Sequence, residues 1–451
     1  MIYSMARRII DESVKEQKLN MAKNRRALTY KMLDYYNGDN TKQYIDGYFK
    51  AQSFREIPPT AMNITKRFIN KMARTYTLGA NRTLDNKQEQ YNSLTRFKDL
   101  KLKHFEKMTK LLGTMAVHVG LEEQPNGDKF FKYTPKYAFD VELDPNDPFK
   151  AIAIKYPIML NTDDVTVGNE VLQYAYYDDQ GFIIYDETGK ELQAETHDLG
   201  VLPFVFLHRD HQQLEFNVPG ATDIISANEQ LNILFTEMNL GMRFQMFGQY
   251  TITGMYADEN FQRAGSDEMI ILPEGADLDI VSPSVNINDA ISLAKSMLEI
   301  VASNNHLTVS FIDPQKDRPQ SGTALQIRNI EYNEKYLDDL GIWVGAEMEL
   351  YELEKLIASR AGINLPDRLG IDFNEPKTIM TVPEEISWNT WKLENNLTTK
   401  AKILQEQNKD LTIEQAQALV DENKEINGPK EQEQQTGSIF NRLRQRPTEV
   451  K

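Results

Sequence analysis

The chain has 451 residues, 40% of them apolar, no cysteine and a net charge of −16. That length buries a sizeable core and leaves room for more than one domain or lobe. The missing cysteine excludes disulfide staples, zinc–thiolate sites and a cysteine nucleophile, and the acidic balance argues against a dedicated nucleic-acid binder, which is usually basic.

No apolar run reaches the length that crosses a bilayer. The first residues lack the apolar core of a secretory signal. The expectation is a protein of the cytoplasm, or of a particle assembled there, with no membrane partner. Charge is uneven: residues 63–110 are rich in Lys and Arg, whereas 120–215 and 330–435 hold most of the acid.

Residues 5–36 read as an amphipathic helix carrying Ile9, Ile10, Val14, Leu28, Met32 and Leu33, closed by the turn Asn37-Gly38-Asp39-Asn40. Pro58-Pro59 marks an extended connection. A basic helix starts at Asn63 and ends at Leu78-Gly79, with Lys66, Arg67, Lys71 and Arg74 along it. Such a run is either a solvated face or a contact with an acidic neighbour subunit or phosphate. A second helix is expected over 86–112, stopped by Gly113. From Thr114 to Phe206 short β-rich runs alternate with turns such as Pro125-Asn126-Gly127 and Asp144-Pro145-Asn146. This pattern predicts antiparallel sheet and no parallel nucleotide-binding array.

Pro219-Gly220 opens a new texture. Residues 221–247 form an apolar helix, with Thr222 as one cap and Ser226–Glu229 in the form of a capping box. A small β-rich insert follows, with strands expected at 250–253, 269–272 and 278–281. A second helix runs from about Asn288 to His306, with Ile291, Ala294, Leu298 and Val301 on one stripe. After a loop of about a dozen residues, long for a compact domain, a helix is expected from Ser321 to Ala361, ended by Gly362 in the left-handed conformation. Gly341 and Gly345 in its middle mark either a bend or close helix contact, or a straight helix with two tolerated glycines. An extended stretch is expected over 371–381, then a helix at 393–407. Thr412-Ile413-Glu414-Gln415 reads as a capping box for another, ending at Asn427-Gly428-Pro429.

No catalytic constellation stands out. Gly189-Lys190 is followed by Glu191 and does not make a phosphate loop. His208 and His211, with His197, read as surface polarity rather than a metal site. Adjacent acids such as Asp163-Asp164, Asp178-Asp179 and Asp338-Asp339 point apart in regular structure and make no dyad. No cofactor, no metal and no enzymatic activity are expected.

The order of elements resembles the portal proteins of tailed bacteriophages, of the kind found in long-tailed phages of Gram-positive hosts. The motifs that carry the likeness are Gly220–Asn232, Ser321-Gly322-Thr323-Ala324-Leu325 and the helical ending, and the likeness spans roughly residues 5–430. It implies an α+β portal fold: a wing over 1–220, a stem of two helices at 221–247 and 289–306, and a small β-rich clip at 248–288. A tunnel loop would occupy 307–320, a long bent helix and wing return 321–389, a helical crown 390–430 and a tail 431–451. It further implies a closed ring of roughly twelve copies at one capsid vertex of the virion, assembled in the host cytoplasm.

Double-stranded DNA would pass through the ring without sequence readout, facing Asp313, Gln315, Lys316, Asp317, Arg318 and Gln320. Leu234, Phe235, Met238, Met242, Ile291 and Leu298 would pack the stem. The large terminase subunit and the head–tail adaptor would dock at the clip, and scaffolding and major capsid protein would be assembly partners. The competing reading is another head–tail structural protein without a DNA channel.

Overall fold

The computed structural model describes residues 22–49, 58–159, 172–186, 188–247, 249–254, 275, 277–281, 286–307, 330–374, 382–408 and 411–427. The chain divides into two compact units, Met1–Pro376 and Lys377–Lys451. It is a mixed α+β protein, and every strand pair is antiparallel.

The first unit opens with helix α1 (22–37) and the short α2 (Thr41–Asp46). The basic segment is α3 (Thr65–Met72) followed by a single turn at Thr75–Thr77. The helix expected over 86–112 is two helices, α4 (Gln88–Leu94) and α5 (Lys98–Leu112). The break falls where Thr95 returns its hydroxyl to the Tyr91 carbonyl at 2.8 Å, a local bond that competes with helix continuation. Strand β1 (Ala80–Leu84) precedes them and was not expected.

Three strands then make one sheet in the order β3 (Lys129–Lys136), β2 (Thr114–Glu123), β9 (Phe204–His208). Five make another: β4 (Asp140–Asp144), β5 (Asp147–Met159), β6 (Leu172–Tyr177), β7 (Gly181–Tyr185) and β8 (Glu191–Thr196). Aspartates set the turns between them. Asp178 accepts from the backbone N–H groups of Gln180 and Gly181, both at 2.9 Å, and Asp186 from those of Thr188 and Lys190. Such side-chain bonds replace a backbone turn bond and fix the reversal.

Helix α6 (Thr222–Phe247) follows, then β10 (Gln249–Thr253) paired with β11 (Asp277–Val281), then α7 (Ile287–Asn304). The strand expected at 269–272 lies outside the described residues, as does 5–21 of the first helix. Asn286 caps α7 by accepting from the Asp289 N–H. Ser226–Glu229, read above as a capping box, lies inside α6 and caps nothing.

The long helix α8 spans Ile330–Arg360 without interruption, its expected start at 321–329 lying outside the described residues. Gly362 ends it at φ 78°. The Ile363 N–H reaches back to the Ala358 carbonyl at 2.8 Å and that of Gly362 to Ser359 at 3.1 Å, a closure that favours glycine. Strand β12 (Leu369–Phe373) then pairs with β1, so residues 80–84 and 369–373 close the unit.

The main core gathers Phe68, Ile69, Phe105, Met115, Ile224, Ile225, Trp343, Leu350 and Tyr351 from α3, α5, β2, α6 and α8. A smaller one, with Phe139, Ile154, Tyr156, Phe204 and Phe216, joins the two sheets. Gly113, between α5 and β2, is required at φ 83°: a Cβ there would lie 2.0 Å from the Val218 carbonyl oxygen.

The second unit holds α9 (Val382–Glu394), α10 (Lys400–Gln407) and α11 (Ile413–Asn427). The single helix expected at 393–407 is therefore split across α9 and α10, and Val382, read as extended, begins a helix. The capping box at 412–415 is present: the Thr412 N–H donates to Gln415 Oε1 at 2.9 Å and the Gln415 N–H to Thr412 Oγ1 at 3.3 Å.

Candidate functional site

Helices α6 and α7 pack together, and β10 and β11 pair at their far ends. Their near ends are held firmly. The α6 N–H of Ala221 donates to the Leu111 carbonyl at 2.8 Å. Asn305, buried just past α7, donates to Asp223 at 2.7 Å and to the Val301 carbonyl at 2.9 Å, and accepts from Arg209 at 2.9 Å. One amide thus ties the start of α6, the end of α7 and the chain after β9.

A second tie runs along α6. Asn232 accepts from the Met62 N–H at 2.7 Å and donates to the Met62 carbonyl at 3.0 Å; one turn earlier Asn228 donates to Thr65 Oγ1 at 3.0 Å. One turn later Thr236 accepts from the Thr60 N–H at 2.9 Å. Buried polar groups persist when they are paired in this way.

Elsewhere along the two helices the side chains are less covered. Leu234, Phe235, Met238 and Met242, assigned to stem packing, are only half-buried, as is Leu298, whose side chain reaches the main core. Ile291 is exposed, and so are Met246 at 78%, Leu293 at 53% and Ile300 at 61%. At the paired strands Ile280 and Val281 are also exposed.

Helix α7 closes with His306 in the left-handed region at φ 53°, and the Leu307 N–H bonds the Ala302 carbonyl at 2.8 Å. Leu307, the first residue of the segment assigned to the tunnel loop, is buried in the main core. Asp313, Gln315, Lys316, Asp317, Arg318 and Gln320 lie outside the described residues. Gly341 and Gly345 sit in unbroken helix. A Cβ at either would meet nothing within 4 Å, so none of the described residues packs closely on them.

Behind α8 lies a buried ion network that sequence reading did not find. Lys98 reaches Glu354 at 2.6 Å and Glu347 at 3.2 Å, and all three are fully buried. The two glutamates are two helical turns apart on one face of α8. Glu347 also pairs with Arg82 and accepts from Tyr76 at 2.9 Å. Glu354 accepts from Tyr91 at 2.9 Å and from Tyr133 at 2.6 Å. Burial disfavours the Lys98 ammonium, but the two carboxylates outweigh it and its pKa is raised. Burial likewise opposes the Glu347 carboxylate, and Lys98 and Arg82 outweigh it, so its pKa is lowered.

A second network links α5 and α8: Lys110 to Asp339 at 2.8 Å, Lys335 to Asp339 at 3.2 Å and Lys335 to Asp210 at 2.5 Å. Asp338 points to solvent beside buried Asp339, as adjacent helical residues should. Both networks are salt-bridge scaffolding. In the first the carboxylates outweigh burial at Lys98, whereas in the second burial outweighs Asp339 and lowers the Lys110 pKa.

The histidines are dispersed. His208 shares a hydrogen bond with Thr114 at 3.1 Å, and His197 with the Asp178 carbonyl at 3.2 Å. Among the described residues no group of three or more His, Asp or Glu is placed to hold a metal. No helix among them is long and apolar enough to cross a membrane. Compared with models of known protein families the chain matches none, and a search of curated proteins finds no match.

Proposed function

We propose that this chain is the subunit of a closed ring: a phage portal protein, through whose channel double-stranded DNA is packaged into and ejected from a capsid, and on which terminase and head–tail connector dock. The observation that carries this reading is the α6–α7 pair. Its base is locked by Asn305, Asn232 and Asn228, yet Met246, Ile291 and Leu293 toward its far end, and Ile300 nearer its base, are exposed. A monomer gains nothing by holding apolar side chains in water on a rigid support. A ring buries such flanks against neighbours.

The charge supports the same reading. A conduit must not hold its cargo, and phosphate-binding cations give strong, salt-dependent adhesion. A net charge of −16 suits a wall along which DNA slides. In the assigned tunnel loop Lys316 and Arg318 are offset by Asp313 and Asp317, a composition that permits touch without capture. The small β10–β11 pair at the far end is the assigned docking platform.

Electron microscopy of the purified protein tests the proposal. Top views with a central hole and roughly twelvefold symmetry are the expected result. A defined small oligomer without a channel would overturn it in favour of a head–tail component that conducts no DNA.

A further inference from the structure

Helix α9, Val382–Glu394, is a second element that is poorly covered among the described residues. None of its described residues is buried. An isolated helix of this length is marginal in water, and most helices depend on packing an apolar face. Here that face is prominent. The chain has three tryptophans. Trp343 is buried in the core, whereas Trp388 and Trp391 are 43% and 46% exposed. Their rings stack 5.1 Å apart at 9°. Ile386 is exposed beside them at 61%. Exposed glutamates, Glu385 and Glu394, stand near its two ends.

The same unit carries a matching surface. Helices α10 and α11 pack together and leave a groove of about 470 Å³. Its floor is Ile403, Leu404 and Val420, all half-buried, and its charged lining residues are both cations, Lys400 and Lys424. Lys424 also reaches Asp421 at 3.2 Å. The groove is apolar within and basic at its rim. The helix is aromatic on one side and acidic near its ends. Among the described residues the groove lining includes none of α9, and the Trp pair stays exposed. The Leu397 N–H turns back to the Lys392 carbonyl at 2.9 Å, and Asn396 takes the left-handed conformation at φ 55°.

We propose that α9 of one copy seats Trp388 and Trp391 in the α10–α11 groove of the next copy. Donor and acceptor surfaces differ, so the contact is head-to-tail. Such a contact closes into a ring when its rotation permits. This rests on the ring reading and adds to it a named contact. It follows the helix-in-groove mode of recognition, with aromatic anchors in an apolar slot and charges setting orientation.

The test uses the full chain. Assembled and unassembled fractions are separated by size and their tryptophan fluorescence is quenched with acrylamide, Trp343 serving as the buried reference. Quenching is expected to fall severalfold on assembly. Lys400→Glu with Lys424→Glu, and separately Glu385→Lys with Glu394→Lys, should each raise the concentration at half-assembly about tenfold or more, since like charges then face each other. Combining the two sets should restore assembly. Trp388→Ser with Trp391→Ser should leave the monomer folded and weaken assembly most.

Rings whose tryptophans quench as freely as those of the monomer would overturn this contact and leave the ring reading standing. So would charge reversals without effect. Protection already present in a dilute monomer would assign the groove to the chain's own helix and overturn the contact between copies. A chain that forms no ring at any concentration would overturn both proposals.

Discussion

The long helix α8 and the α6–α7 pair handle their side chains in opposite ways. On α8, Glu347 and Glu354 are buried and each meets a cation and a tyrosine hydroxyl. Nothing on that face asks for a partner. Along α6–α7 the surface has open apolar side chains, with Met246, Leu293 and Ile300 in solvent. The first region completes itself within one chain. The second, on the proposed ring reading, is complete only when a neighbouring copy covers it. Substitutions in the first should therefore register in folding, and those in the second in association.

The largest effect is expected from Glu347→Ala. It leaves the buried Lys98 and Arg82 short of a counter-ion and strands the Tyr76 hydroxyl. Breaking a buried ion pair from one side costs about 3–5 kcal/mol. Urea unfolding of the first unit should show a loss of that order with an unchanged slope. A loss well under about 1 kcal/mol would mean that water reaches the network, and the contrast with the stem would weaken.

A smaller effect should appear in acid. Burial pushes His118 and His208 down to about 4, with Lys136 and His197 adding to the shift at His118. Their unfolded value is about 6.5. The unfolded chain therefore binds more protons between these limits, and stability falls as pH drops from about 6.5 to about 4. Both histidines lie in the sheet-bearing part of the first unit, at β2 and β9. His208→Gln should flatten the slope of stability against pH in that window, measured by thermal unfolding. An unchanged slope would show that His208 stays protonated in the fold.

Much of the element order was legible in the sequence because local chemistry dictates it. Gly362 and the Thr412–Gln415 box each end or start a helix by bonds within a few residues. The antiparallel strands were legible because Asp178, Asp186 and their neighbours make turns on their own. What was not legible depends on distant partners. Strand β1 exists because β12, nearly three hundred residues later, pairs with it. The α4–α5 break falls in 92–97, where Asn, Ser, Thr and Phe are only moderate helix formers, a signal too small to stop a helix by itself. Lys98 looks like any surface lysine until α8 brings two glutamates to it. The seven-residue spacing of Glu347 and Glu354 was the one signal in the sequence, and acidic pairs on helices are too common to be read alone. The six residues assigned to face DNA fall in a segment outside the described residues, so that assignment stands on the resemblance.

The smallest effect on folding is expected on α7, where the change should register in assembly instead. Leu293 and Ile300 are exposed on α7, two turns apart on the same helix face within the scatter of a 3.6-residue period. Replacing both with Ser removes apolar surface that the described residues leave exposed. Exposed substitutions of this kind usually change stability by less than about 0.5 kcal/mol. The monomer should unfold at the same urea concentration as the parent. Its assembly, followed by mass photometry across a concentration series, should be weakened, because the neighbour's packing surface has lost its complement. A variant that both unfolds early and assembles poorly would place these residues in the chain's own core. A variant that assembles as well as the parent would show that the ring closes without this face, and would move the carrying contact to the second unit.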